Sequence, residues 1–235
     1  MIPTAHYGPL VSKIRRMIDG KSYAIAQPDN QVSSSKNTVL HVDGLRLGII
    51  TDVSTRMAGG LVSQDALEMA GLTFTEGCEA PQGIPGATLR RLWRTLVAGR
   101  DISGKPATGR FNIALKHLRS LYTVELLEDE HNLNTRDFLE KVRDVTWNRR
   151  LFLSRDNEFQ EMLLGLAPRK TRVGDTIVML FGLSVPVILR PSSVGGGGYM
   201  ETVGAAYVDG KREGQIVHQL GKMKVEGLAE TFEIA

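Results

Sequence analysis

The hydrophobic period changes partway along this chain, and that change restricts its fold more than any other feature. From about Leu61 to Thr146 the apolar residues recur with helical spacing. Leu89, Leu92, Trp93, Leu96 and Val97 fall at i, i+3, i+4, i+7 and i+8, with Arg90, Arg91 and Arg94 on the opposite side. Phe111, Ala114, Leu115, Leu118, Leu121 and Tyr122 predict a second helix. Phe138, Leu139, Val142 and Val145 predict a third, with Asn134 as its cap and Asp137 in its first turn. After Arg149 the period shortens. Leu151–Ser154, Thr176–Phe181, Val185–Arg190, Tyr199–Val208 and Glu230–Ile234 are apolar or β-branched runs, most of them bounded by Gly, Pro, Asp or Ser. Their spacing suits antiparallel strands curled on themselves. The implied class is α+β: a helical middle segment followed by a small antiparallel β-barrel-like C-terminal unit.

Three stretches follow from this pattern. Residues 1–38 are weakly patterned and end in the polar run Gln27–Thr38, so they are expected to form an N-terminal arm. Residues 39–148 hold a strand pair, Val39–Val42 and Leu45–Val53 about an Asp43-Gly44 turn, and then the helical segment. A polar loop, Gly99–Gly109, separates the first two helices. Residues 149–235 form the β-rich unit, with Gly182–Val185 as a tight hairpin connection and Ser192–Gly198 as a slack one. Gly174-Asp175 reads as a turn feeding a strand buried on both faces, and Pro186 and Gly204 as an edge and a bend.

Composition narrows the chemistry. With 42% hydrophobic and 23% charged residues, the chain is of globular type. A single cysteine, Cys78, excludes an internal disulfide framework, and its acidic neighbours Glu76 and Glu79 do not favour a thiolate. His6, His41, His117, His131 and His218 are scattered, so no metal site is expected. Gly195–Gly198 is followed by a strand-like run rather than a helix, which argues against a phosphate cradle. The longest apolar stretch, Ile177–Leu189, is broken by Gly182, Ser184 and Pro186, and the first residues lack the apolar core of a signal peptide. A soluble, cytoplasmic protein is expected. The net charge of +3 is uneven: Thr88–Arg172 carries 17 Lys/Arg against 11 Asp/Glu, so the middle is basic and the remainder slightly acidic. Arg90, Arg91, Arg94 and Arg100 are the residues that would face nucleic acid, although no aromatic–basic or helix-pair motif accompanies them.

The most specific pattern lies in the β-rich part. It runs Arg149-Arg150-x-Phe152, Gly165-Leu166-x-Pro168, Thr171, Gly174-Asp175-x-Ile177, Pro186-x-x-Leu189-Arg190, and Tyr199-x-x-x-Val203-Gly204-x-x-Tyr207-Val208-x-Gly210. In this order the set resembles the region downstream of the heterokaryon incompatibility domain in filamentous-fungal proteins of that family. Leu92–Ala98 is similar to the family's Trp-Arg-Thr-Leu helix, and Leu40–Leu45 to the strand–turn–strand before it. In the family pattern Gly165–Pro168 is a turn. The family's Trp-Ile-Asp-x-x-Cys-Ile-Asn-Gln core has no counterpart in these residues, so the chain is expected to be the back portion of a larger architecture. The resemblance implies a non-enzymatic accessory region that acts in non-self recognition and incompatibility cell death through protein partners. The alternative is a basic nucleic-acid-binding module. No catalytic, cofactor or metal residue is assigned, and neither a cofactor nor a membrane is expected.

Overall fold

The computed structural model describes residues 39–58, 62–72, 86–107, 109, 111, 133–156, 162–192, 198–211 and 215–235. The expected N-terminal arm and the helix expected from Ala114 to Tyr122 lie outside these residues. Among them are helices and a mixed eight-stranded sheet, so the class is α+β.

One long strand organises the sheet. β1 (Leu40–Val53) pairs with three partners: Leu40–Gly44 with β8 (Glu230–Ile234), Gly44–Ile49 with β4 (Thr176–Leu180), and Gly48–Val53 with β2 (Arg149–Asp156). Register shifts at Arg46/Gly48 and Ile50/Asp52 let one strand turn toward successive neighbours. Asp43-Gly44 is therefore no turn; the chain runs straight through it. Glycine is required there by closeness, because a Cβ at Gly44 would lie 2.7 Å from the Met179 carbonyl oxygen of β4.

From β4 the sheet continues through β5 (Val187–Pro191) and β6 (Met200–Ala205) to β8, and the β1–β4 pairing closes these five strands into a ring. Beyond β2 it extends through β3 (Met162–Pro168) to β7 (Tyr207–Val208). Pairings are antiparallel except β6–β8, which is parallel at Met200↔Ile234, so the sheet departs from the purely antiparallel expectation. A second departure is β3. Its Gly165 and Pro168 suggest a turn, yet Gly165 sits mid-strand, where any side chain would run into the Phe152 ring and the Tyr207 carbonyl.

Period-two alternation sorts the core. Leu164 and Leu166 of β3, with Leu151 of β2, face a cluster built with α1 (Gln64–Met69), α2 (Gly86–Leu96) and α3 (Leu133–Thr146). There Leu92, Leu96, Phe138 and Val142 are fully buried, which bears out the two helical stripes that carry them. Phe111 packs against both the Trp93 and Phe138 rings. Leu163, Ala167 and Phe152 face the opposite way, into a cluster with Leu45, Ile50, Ile177 and Ile188. Val178, Leu180, Val187 and Leu189 form a third cluster with Phe232 on the other side of β4 and β5. Two short helices not expected from the sequence, α4 (Gln215–Leu220) and α5 (Lys222–Leu228), bring Ile216 and Val225 onto the second cluster.

Candidate functional site

Between β3 and β4 the chain makes two consecutive turns. The Thr171 amide donates to the Pro168 carbonyl at 3.0 Å, and the Asp175 amide to the Arg172 carbonyl at 3.2 Å. Gly174 has φ +89° with nothing near where its Cβ would be, so glycine is needed here for its backbone alone. The second turn is pinned to the β1 irregularity, with Gly174 N donating to Ile50 O and Ile50 N to Asp175 O, both at 2.9 Å.

Asp175 is buried, 2% exposed, and its carboxylate holds the turns in place. It accepts two bonds from the Arg190 guanidinium on β5, Nε to Oδ1 at 2.7 Å and Nη2 to Oδ2 at 2.8 Å, and one from the Arg172 amide at 2.8 Å. The same Arg190 Nη2 donates to the Lys170 carbonyl at 2.8 Å, so one side chain clamps both turns. Hydrogen bonding to Asp175 outweighs the opposing effect of burial and, with the Asp175 and Glu201 charges, holds the Arg190 guanidinium protonated even more firmly than usual.

This clamp borders a cleft of about 570 Å³ lined by Arg150, Arg169, Lys170, Thr171, Arg172 and Arg190. Val53 and Val173 complete the lining, so five of its eight side chains are cationic, and no carboxylate, histidine or cysteine is among the described residues that line the cleft. Two lining polar atoms, Arg150 Nε and Thr171 Oγ1, are buried without a hydrogen-bond partner among the described residues. Arg150 is held in place by its Nη1, which donates to the Ser54 carbonyl at 3.3 Å.

The cleft gathers segments far apart in sequence: the start of β2, the turns after β3 and the end of β5. The sequence pattern contains Arg150, Thr171 and Arg190 but supports only a structural part for them. The run Arg169-Lys170-Thr171-Arg172 beside a turn-forming proline is the one local hint of a basic loop. The arginines considered for nucleic acid are placed differently. Arg91 donates to the Met162 carbonyl, Arg94 pairs with Asp209 at 2.9 Å, and Arg100 donates to the Gly104 carbonyl at 3.2 Å, whereas Arg90 is exposed. Through Arg91 and Arg94, α2 is thus fastened to β3 and to the Asp209 turn. His41 lies 3.7 Å from Glu233 at the exposed surface, and His218 is exposed. Cys78, His6, His117, His131 and Gly195–Gly197 lie outside the described residues. Among those described, no three His, Cys, Asp or Glu side chains converge, and no helix is long and apolar enough to cross a membrane.

Residues 106–224, just over half of the chain, match the family model described as the Het-6 beta-barrel domain. The match spans α3, β2–β7 and α4; β1 and β8, which complete the ring, flank it. No curated protein and no solved structure matches the chain. Its ordered motifs from Arg149 to Gly210 lie inside the matched stretch, and the chain belongs to the heterokaryon-incompatibility family that carries this domain.

Proposed function

We propose that this chain is a non-enzymatic accessory region of a fungal heterokaryon-incompatibility protein. In this reading it works in the cytoplasm, where protein partners couple it to non-self recognition after hyphal fusion and to the ensuing cell death. In this reading those contacts are built on the β-rich unit of residues 149–235, some of whose strands close into a ring with β1. Family membership carries this reading. The chemistry of the cleft supports a binding role, because its lining offers hydrogen-bond donors and positive charge, with no carboxylate or histidine among the described residues that form it. The competing nucleic-acid reading draws less support, since Arg91, Arg94 and Arg100 already spend donors within the chain.

The test is genetic. The chain is expressed in a fungal host with and without an upstream incompatibility domain, and death is scored after fusion with a tester strain. Death that depends on the presence of both segments is expected. No effect of the chain in either setting overturns the proposal. Binding of a generic duplex that weakens steeply from low to moderate salt would instead favour the nucleic-acid reading.

A further inference from the structure

The geometry points to a binding site for a small phosphate-bearing anion in the cleft between the Pro168–Asp175 turns and the ends of β2 and β5. This inference stands on the cleft itself and does not depend on the part the chain plays in incompatibility.

Charge balance comes first. Arg190 is neutralised by Asp175, but Arg150, Arg169, Lys170 and Arg172 have no carboxylate partner among the described residues. Four cations gathered in one concavity repel each other, and the chain tolerates that cost without placing an acid among them. Besides Asp175, the acid whose charge is felt at Arg190 is Glu201; its carboxylate accepts a 2.7 Å bond from Ser192 Oγ. A ligand with several negative charges relieves the repulsion, and a single carboxylate does so only in part.

The donor set comes second. Arg190 leaves its Nη1 without a partner among the described residues, and the buried Arg150 Nε likewise has none. Guanidinium groups present planar, paired donors that match the oxygens of a phosphate. Thr171 is 1% exposed, and its hydroxyl is the second buried polar atom without a partner. The hydroxyl hydrogen rotates freely about the Cβ–Oγ bond, so this donor is available to an acceptor seated in the cleft. The Arg190–Asp175 clamp fixes the turns beforehand, so little ordering is left for the ligand to impose.

Size comes third. A volume of about 570 Å³ is that of a small-molecule pocket. It takes a phosphorylated small molecule or one headgroup, so the shared chemistry is the phosphate group, and its two sources are separated by experiment.

Inorganic tripolyphosphate is titrated into the full chain at low ionic strength, where charge is least screened, and followed by calorimetry and thermal melting. Saturable binding and a rise in Tm are expected. Arg169, Lys170 and Arg172 are exposed, so Arg169→Gln with Arg172→Gln should leave the unliganded Tm unchanged and weaken binding by about tenfold or more. Thr171→Val keeps the shape and removes the hydroxyl. It should weaken binding about fivefold without lowering the unliganded Tm, because no protein bond is lost. Vesicles of phosphatidylcholine with and without phosphatidic acid form the second arm. Retention that needs phosphatidic acid and is lost in the double variant puts the phosphate on a lipid; tripolyphosphate binding without retention puts it on a soluble molecule. The site is overturned if neither probe binds. It is equally overturned if the double variant binds as well as the parent, or if Thr171→Val lowers Tm while affinity stays the same.

Discussion

Arg150 and Leu151 are neighbours on β2, yet they belong to two regions held by opposite physics. Leu151 points into the helical flank, where Leu92, Leu96, Phe138 and Val142 exclude water completely. Arg150 lines the cleft, where the Arg190–Asp175 pair sets the shape of two turns and four further cations gather beside it. The flank is stabilised by area removed from water, a term without direction that tolerates exchange of one apolar side chain for another of like volume. The Arg190–Asp175 clamp beside the cleft is stabilised by directed bonds between charged groups, which tolerate almost no exchange. The fold thus keeps a forgiving region beside an exacting one, and the alternation of a single strand divides them.

The comparison can be broken or sharpened by substitution, beginning with the largest effect. Phe138→Ala on α3 empties a fully buried site against Phe111 and should cost about 3–5 kcal/mol, measured by denaturant unfolding. Phe138→Leu should restore most of that loss, as expected of a region that reads volume. Asp175→Asn should cost about 2–3 kcal/mol, somewhat below the range for a wholly buried pair, because the Arg190 side chain is 26% exposed. Here the near-isosteric change should not spare the protein. If Asp175→Asn is harmless while Phe138→Leu is severe, the contrast between the regions collapses. Gly174→Ala forces φ +89° on a residue with a side chain and should cost about 1–2 kcal/mol through backbone strain alone, since the space is open. An unchanged Tm would show that the turn relaxes and is not held by its contacts to Ile50.

The smallest effect is pH-dependent. Burial pushes the Asp65 carboxyl up, but the neighbouring Ser63 side chain, together with bonds donated by the Thr55 amide and hydroxyl and by the Ala66 amide, outweighs it and leaves its pKa below the usual 3.8. A lowered folded-state pKa means stability that is present above pH ~4 and is lost as pH falls through the folded value. Asp65→Asn should therefore lower Tm at neutral pH, and the gap to the parent should narrow on acidification from pH ~5 to pH ~2.5. A constant gap would remove titration of Asp65 from the account.

Much of the helical flank is legible in the sequence because a helix announces its buried face within a few turns; Leu92, Leu96, Phe138 and Val142 stand at the positions their spacing predicts. β2, β4, β5 and β8 are legible for a similar reason, being short apolar runs with clear borders. β3 escapes local reading because Gly165 and Pro168 are turn residues by habit. The need for glycine at 165 comes from Phe152 and Tyr207, which no local pattern reveals. The single run of β1 escapes for the same reason at Gly44, where the constraint is the Met179 carbonyl of a distant strand. The cleft was least legible. Its cations are ordinary surface residues on three segments until pairing of β2 with β1, and of β1 with β4, brings them together. The match to the domain model marks the region but carries no information about the hollow in it.

The three-partner pairing of β1 also sets a timetable. Leu40 pairs with Ile234, so the first described strand cannot complete its ladder until residue 234 has left the ribosome. At about 5–20 residues per second, the two strands are made roughly 10–40 s apart. Throughout that interval the Leu40–Asp43 end of β1 carries open backbone donors and acceptors, a template for unwanted pairing. β2 and β4 emerge sooner and can occupy the later part of β1, but Leu40–Asp43 must wait. Closure of the ring is thus a late, long-range step. It predisposes this chain to slow maturation and to need for chaperone protection while it is being made.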